Sequence, residues 1–272
     1  MLDLFRYGFA VRGMEAGVVV ALVAPLIGTF LVLRRYSLIA DTLANVSLAG
    51  ITLGLLLGIN PILAALVTTT VASLGIEKLR LSKRIYGESS LALFCSGSLA
   101  LATILLSVGR GFNTNLFNYL FGSIVTVTRK DIDTILILAA VVMGALALFY
   151  KELVYITFDE ESAQVSGLPV RWLNMLLIVL SALTITLSIP IIGVLLIAAL
   201  VVIPVVAALQ LRRGFAATLF WAEAISLFSV VTGMLASFYL NLSSGGTIVL
   251  VMLGVFLVLL PFGKSSGDQP AA

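Results

Sequence analysis

The sequence predicts an all-α membrane protein, a polytopic transmembrane helix bundle with about eight or nine spans. Of its 272 residues, 61% are hydrophobic and only 11% are charged, whereas soluble domains carry roughly one charged residue in four. Long uncharged runs alternate with short segments in which Lys and Arg cluster. Such a chain has too little polar surface to fold in water, so we expect membrane lipid to be its solvent.

The apolar runs divide into successive spans, because a transmembrane helix needs about 20 apolar residues. The predicted spans are Ala16 to Leu33, Leu38 to Ile59, Pro61 to about Ile76, Ser89 to Val108, Ile132 to Tyr150, two spans within Trp172 to Leu211, Phe215 to Tyr239, and Gly246 to Leu260.

Two regions do not follow this simple pattern. The 40 residues from Trp172 to Leu211 carry no charge and are too many for one span, and a break is expected at Pro190, since proline interrupts helical hydrogen bonding. The mixed stretch from Gly109 to Lys130 predicts a re-entrant segment with a short helix that dips into the membrane.

The distribution of basic residues predicts the orientation. With the N-terminus outside and the C-terminus in the cytoplasm, 11 Lys and Arg residues fall inside and 5 outside, as the positive-inside rule requires. We therefore expect a multi-pass protein of a prokaryotic plasma (inner) membrane, with one transmembrane domain over residues 1–262 and a disordered cytoplasmic tail over 263–272.

Several chemistries are excluded by composition. The chain contains no histidine, so it has no Ser-His or Cys-His nucleophile pair and no H-E-x-x-H zinc protease motif. Gly263-Lys264-Ser265 resembles the end of a phosphate-binding loop, but the glycine needed five residues earlier is Val258. No basic face of useful extent predicts a nucleic-acid partner. The chain is therefore not expected to be an enzyme or to hydrolyse ATP.

A few polar residues within spans are candidates for function. Asp41 and Asn45 are four residues apart, so they share one helix face, and a carboxylate within the membrane should face protein or water. The pair is interpreted as a step on a cation path, although Asp41 could instead cap or pair near the helix end. Glu223 is a candidate pore acid or a structural acid. Cys95 is interpreted as a packing residue.

An acidic segment stands between two spans at Phe158-Asp-Glu-Glu-Ser-Ala-Gln-Val-Ser-Gly-Leu-Pro169. Acids favour the positive N-terminus of a helix, and a glycine commonly ends one. The segment predicts a short cytoplasmic helix suited to a groove on a moving partner, with an ordinary loop as the alternative. Its residues of interest are Asp159, Glu160, Glu161, Ala163, Gly167, Leu168 and Pro169.

From about Ala16 to Leu260 the sequence resembles the zinc/manganese/iron class of ABC-transporter permeases. The resemblance lies in five stretches taken together: APLIGTFLVLRRYSLIADTLANVSLAGITLGLLLGINP, LFGSIVTV, ITFDEESAQVSGLPVRWLN, IIGVLLIAALVVIPVVAALQL and YLNLSSGGTIVLV. It implies two permease copies, a cytoplasmic ATPase subunit and an extracytoplasmic metal-binding protein. It also implies that the acidic segment is the coupling helix that meets the ATPase.

One position departs from the family pattern. Where Asn45 stands, the family usually has a histidine that follows the aspartate by four residues and contacts the metal. An amide oxygen is a harder ligand than imidazole, which puts the metal preference in question. The overall expectation is inward transport of a divalent metal ion, zinc first and manganese or iron next, with no cofactor resident in this chain. The alternative is an ion-coupled secondary transporter that uses Asp41 and Glu223.

Overall fold

The computed structural model describes residues 8–81, 87–109, 113–123 and 128–263. Within these ranges the chain is helical and contains no strand. The twelve α-helices described are α1 (Gly8–Leu33), α2 (Ser37–Leu57), α3 (Pro61–Leu81), α4 (Gly87–Val108), α5 (Asn113–Phe121), α6 (Arg129–Leu148), α7 (Tyr150–Phe158), α8 (Glu160–Val165), α9 (Val170–Ile192), α10 (Ile197–Leu209), α11 (Phe215–Leu240) and α12 (Ser244–Leu259).

The all-helical membrane fold is confirmed. In the described ranges, seven helices are long and apolar enough to cross a membrane: α1, α2, α3, α4, α6, α9 and α11. Two shorter apolar helices, α10 and α12, correspond to the other two predicted spans. At 1.5 Å per residue, the 13 residues of α10 reach only about 20 Å, less than the ~30 Å hydrocarbon core.

The expected break at Pro190 is displaced. Pro190 lies inside α9, which continues for two more residues and ends before Gly193. Pro190 has no N–H to donate to the carbonyl of Thr186, four residues earlier, yet the helix continues through it. Gly193 has φ +84°, a left-handed conformation that glycine adopts without steric cost, and it is this residue that separates α9 from α10.

Two other sequence predictions concern the connecting segments. The stretch around Gly109 to Lys130 contains the nine-residue α5, which is too short to cross a membrane and whose end packs against α9 and α12. The predicted tail, residues 263–272, lies outside the described residues apart from Gly263.

The bundle has two distinct ends. At the first, here called the basic end, the α1–α2 turn with Arg34 lies near the C-terminus of α3 and near α8 and the start of α9. At the second, here called the glycine end, the termini of α5, α9 and α12 meet at Gly122, Gly193 and Gly245.

The helices differ strongly in burial. Helix α9 is the centre of the bundle, with 78% of its most apolar stretch buried, whereas only 11% of the corresponding stretch of α4 is buried. Helix α2 packs mainly against α3 and α4, while α1, α10, α11 and α12 pack on one another. The chain thus forms a central block around α9 and a flanking layer of α2, α3 and α4.

Candidate functional site

Asp41 and Asn45 lie on one face of α2, as their spacing predicts. The Asn45 side-chain amide donates to the Asp41 main-chain carbonyl at 3.0 Å. Asp41 is exposed on the surface of the single chain, and Asn45 is half-buried. Asp41 is four residues from the start of α2 at Ser37, so the pair lies within the first three turns from the basic end.

The structure adds Cys95 to this pair, a residue that the sequence reasoning assigned to packing. Cys95 lies on α4, and its Sγ is 3.3 Å from the Asn45 Nδ2 and 4.0 Å from the Asp41 Oδ2. It is half-buried and carries a free thiol. The spacing along one helix cannot show this contact, because it depends on how α4 packs on α2.

Packing of α4 on α2 is fixed close to the site. Thr42 is buried beside Asp41 and donates its hydroxyl to the carbonyls of Leu38, at 3.0 Å, and Leu91, at 3.5 Å. Leu91 is one helical turn before Cys95 on α4. This contact holds the thiol in register with the Asp41 carboxylate.

The carboxylate and the thiol offer one hard ligand and one soft ligand, while the Asn45 amide faces the thiol with its nitrogen, which is a hydrogen-bond donor. Carboxylates suit Mg²⁺, Ca²⁺ and Mn²⁺, whereas thiolates select Zn²⁺ and other softer metals. Among the described residues, no three His, Cys, Asp or Glu side chains are close enough to hold a metal ion. The described part of one chain therefore supplies two strong ligands and an amide, fewer than the four ligands of a closed zinc site.

Glu223 is not part of this group. It is half-buried in the third turn of α11, a helix that packs against α1, α10 and α12. Asp41 is on α2, which packs mainly against α3 and α4. The structure therefore does not bring the two acids together into one site.

The acidic segment forms the predicted short helix, α8. Asp159 caps it: its carboxylate accepts from the backbone N–H of Ser162 at 2.9 Å and from the Ser162 hydroxyl at 2.6 Å. These hydrogen bonds stabilise the charged form and hold the pKa of Asp159 below its ordinary value. Glu160 and Glu161 occupy the first turn, where the helix dipole favours negative charge.

The C-terminal end of α8 also follows the prediction. Gly167 adopts φ +85°, and the Leu168 N–H returns to the Ala163 carbonyl at 3.2 Å, the hydrogen bond that closes a helix at a left-handed residue. Ala163 is completely buried, and Pro169 is the residue before α9. In contrast, Val165 is 89% exposed. Helix α8 therefore packs on the bundle with one face and leaves its other face exposed.

A polar triangle anchors α8 to two other segments. Arg34 donates to Glu160 Oε2 at 2.6 Å and to Asn174 Oδ1 at 2.6 Å, while the Asn174 amide donates to Glu160 Oε1 at 3.0 Å. The Arg34 side chain is only 4% exposed although Glu160 is 45% exposed. Sequence reasoning missed Arg34 and Asn174, because nothing local marks their contact with Glu160.

The whole helical region corresponds to one known family. The profile described as "ABC 3 transport family" matches residues 6–263. The chain belongs to the ABC 3 transport family.

Individual members of this family are similar to the chain over nearly its full length. It is 37% identical over 257 residues to a "Probable metal transport system membrane protein" of Treponema pallidum (strain Nichols), covering 94% of this chain and 96% of that protein. It is 30% identical over 264 residues to the "Manganese transport system membrane protein MntC" of Listeria innocua, covering 97% and 94%.

A solved structure supports the same relationship. A chain of "PsaBC from Streptococcus pneumoniae in complex with Fab" superimposes with a TM-score of 0.85 at 28% identity, covering 94% of this chain and 92% of that one. The agreement covers the helices of both the central block and the flanking layer.

Membership of the ABC 3 family determines the general role of the chain. It is the membrane permease of an ABC metal uptake system, and ATP is hydrolysed by a separate protein. Family membership also implies a binding-protein partner. The alternative of an ion-coupled secondary transporter is not supported, because such a protein needs no ATPase and because Asp41 and Glu223 do not share a site.

Proposed function

We propose that this permease carries a divalent metal ion inward, with zinc as the first candidate and manganese or iron as the next. The observation that supports this proposal is the convergence of Asp41, Asn45 and Cys95 from α2 and α4. A bare divalent ion cannot cross hydrocarbon, so its path must offer ligands that replace its water. In this proposal the metal ion is the cargo of the chain and not a resident cofactor.

The ligand chemistry favours zinc. Asn45 stands where the family usually has histidine, and an amide oxygen is a poor replacement for imidazole at a zinc step. Cys95 supplies the softer donor that the histidine would otherwise provide, since a thiolate binds Zn²⁺ more strongly than Mn²⁺. Relatives are named for either metal, manganese in Listeria innocua and zinc in Haemophilus influenzae, and the thiol is the feature of this chain on which the preference for zinc is proposed.

The exposed position of Asp41 supports a second permease copy. A charged side chain within a membrane costs about 2.5–3.5 kcal/mol on insertion scales and faces protein or a water-filled path. In the single chain, Asp41 is exposed on α2, next to the least buried span, α4. A homodimer that covers this face would remove the carboxylate from lipid and place two copies of the ligand group near one path.

The orientation in this proposal places the basic end in the cytoplasm. Arg34, Arg80, Arg171 and Arg212 lie at the helix termini of this end, as the positive-inside rule expects for cytoplasmic loops. Helix α8 is then the coupling helix that contacts the ATPase, with its exposed Val165 available to the partner. The glycine end faces outward, where α5 would be the re-entrant segment and the binding protein would deliver the metal.

The test is ATP-dependent metal accumulation by the complete transporter, assembled from this chain, its ATPase and its binding protein in proteoliposomes. We expect Asp41→Asn to reduce uptake of both Zn²⁺ and Mn²⁺ at least ten-fold, because it removes the only carboxylate of the described group. Asp133→Asn is the matched control, since Asp133 is an exposed carboxylate in the first turns of α6.

Two results would contradict the proposal. One is uptake by Asp41→Asn at the native rate. The other is accumulation of metal by the chain alone, without ATPase or ATP. Asn45→His, which introduces the usual ligand of the family, is expected to increase the Zn²⁺ to Mn²⁺ uptake ratio, and an unchanged ratio would place selectivity outside this site.

A further inference from the structure

A second network of side chains lies between α8 and the metal-site helices. Arg34, which holds Glu160 of α8, is also next to the ring of Tyr36: its Cζ is 5.1 Å from the ring centroid. Arg80, at the C-terminus of α3, lies closer to the same ring, at 4.3 Å. Both distances are within the range of a cation–π contact. Tyr36 therefore contacts a cation from each of two segments.

Each cation is fixed by its own carboxylate. Arg34 is paired with Glu160, as described above. Arg80 binds Glu77 with two hydrogen bonds, Nε to Oε2 at 2.8 Å and Nη2 to Oε1 at 2.9 Å. The Glu77 side chain is completely buried and that of Arg80 is 15% exposed. The bidentate Arg80–Glu77 pair has a defined geometry, and Arg34 is held by one hydrogen bond to Glu160 and one to Asn174. Neither guanidinium can therefore leave the ring without breaking hydrogen bonds of its own.

The turn that carries Arg34 and Tyr36 is short and internally hydrogen-bonded. Arg35 adopts φ +60°, a left-handed conformation that is uncommon for a residue other than glycine. The backbone N–H of Tyr36 donates to the Leu31 carbonyl at 2.7 Å, and that of Arg34 donates to the Phe30 carbonyl at 3.2 Å. A displacement of Arg34 is therefore passed to Tyr36, the residue immediately before α2.

The metal site follows directly on this turn. Asp41 is five residues after Tyr36, and its helix packs mainly against α3 and α4, the helices that carry Arg80 and Cys95. A rotation or shift at the start of α2 changes the position of Asp41 relative to the Cys95 thiol, which is already 4.0 Å from the carboxylate oxygen. The position of Tyr36, immediately before α2, therefore bears on the geometry of the ligand group.

We propose that Arg34, Tyr36 and Arg80 act as positioning residues that link movement of α8 to the starting end of α2 and the final turn of α3, and so set the geometry of the Asp41 site. In this relay, displacement of Glu160 moves Arg34. Arg34 and Arg80 both contact the Tyr36 ring, and movement of Tyr36 moves the first turn of α2. None of the three residues contacts the metal ion. The inference rests on the proposed transport function.

The experiment measures metal transported per ATP hydrolysed by the complete transporter in proteoliposomes. Tyr36→Leu removes the aromatic ring and is expected to reduce this ratio at least ten-fold, while ATP hydrolysis stays within two-fold of the native rate. Tyr36→Phe keeps the ring and is expected to retain the ratio within two-fold. A merely structural role of Tyr36 would lower hydrolysis and transport together and leave the ratio unchanged, which would overturn the proposal.

A second comparison covers the case in which Tyr36→Leu does not assemble. Arg34→Gln and Glu160→Gln each break the first link, so both are expected to lower the ratio, and the double variant should be no worse than the more severe single variant. Additive losses would show that the two residues act independently and would contradict the relay. Native uptake and its loss in Asp41→Asn are measured in parallel. If the native transporter moves no metal, the proposed function fails, whereas normal coupling in Tyr36→Leu refutes only the relay.

Discussion

The guanidinium of Arg34 lies 2.6 Å from the carboxylate of Glu160, although the two residues are 126 positions apart in the sequence. The contact joins the α1–α2 turn to the first turn of α8. Because the Arg34 side chain is almost completely buried, its charge depends on Glu160 and Asn174 for compensation. The stability of this end of the bundle should therefore depend on Glu160 more than on its neighbour Glu161.

Glu160→Gln should destabilise the folded chain by about 1–2 kcal/mol, since it leaves a buried guanidinium without a countercharge. The exposure of Glu160 reduces the loss below that of a fully buried pair. Thermal unfolding in detergent should show a midpoint lower by a few degrees. Glu161→Gln is the matched control, because Glu161 is exposed in the same helical turn. Equal shifts in the two variants would contradict the role of the Arg34 pair.

The cap of α8 should weaken in acid. Hydrogen bonds from Ser162 lower the pKa of Asp159 in the folded chain, so its stabilising contribution is fully present above the ordinary aspartate pKa of about 3.9. That contribution is lost as the pH falls through the lower, folded-state pKa. In Asp159→Asn the cap does not titrate. The difference in unfolding midpoint between native chain and variant should therefore shrink as the pH is lowered from 5 to 2, and a constant difference would argue against the cap.

Cys95→Ser should change metal selectivity more than total transport. The substitution replaces a soft ligand by a hard one of similar size, so Zn²⁺ uptake should fall several-fold while Mn²⁺ uptake stays close to the native value. The measurement is competition between the two ions in the complete transporter. Ser98→Ala, one turn along α4 from Cys95, is the control. A parallel fall for both ions would show that Cys95 only packs between α2 and α4.

Gly193→Ala should be far more disruptive than Gly167→Ala, although both glycines have a similar positive φ. A Cβ on Gly193 would overlap the backbone of Gly122 and Leu120, whereas a Cβ on Gly167 meets nothing within 4 Å. The strained φ alone costs about 1–2 kcal/mol, and the overlap adds about 1–3 kcal/mol. Unfolding midpoints of the two variants provide the comparison. Equal losses would show that the contact at the glycine end is not tight.

Local sequence features predicted the helices well and the contacts between them poorly. Uncharged length identified the spans, and the cap and glycine of α8 were visible in residues 159–167, because both depend on neighbours within a few positions. The Cys95 contact with Asn45 spans 50 residues and depends on the packing of α4 against α2. The sequence placed the end of α9 at Pro190, whereas the helix ends before Gly193. Gly193 is required there by its contact with α5, and a contact between distant segments cannot be read from the local sequence.

The two ends of the bundle are held together in different ways. At the glycine end, a Cβ on Gly122 would strike the Ile191 carbonyl, and one on Gly245 would strike the Ile192 carbonyl, so main chains touch with no side chain between them. A contact between two main chains has no side chain that could change rotamer, so we expect the helices to keep a fixed relative position at this junction. At the basic end, ion pairs and ring contacts can exchange partners or admit water. The helices are therefore joined by main-chain contacts at the glycine end and by side-chain contacts that can rearrange at the basic end.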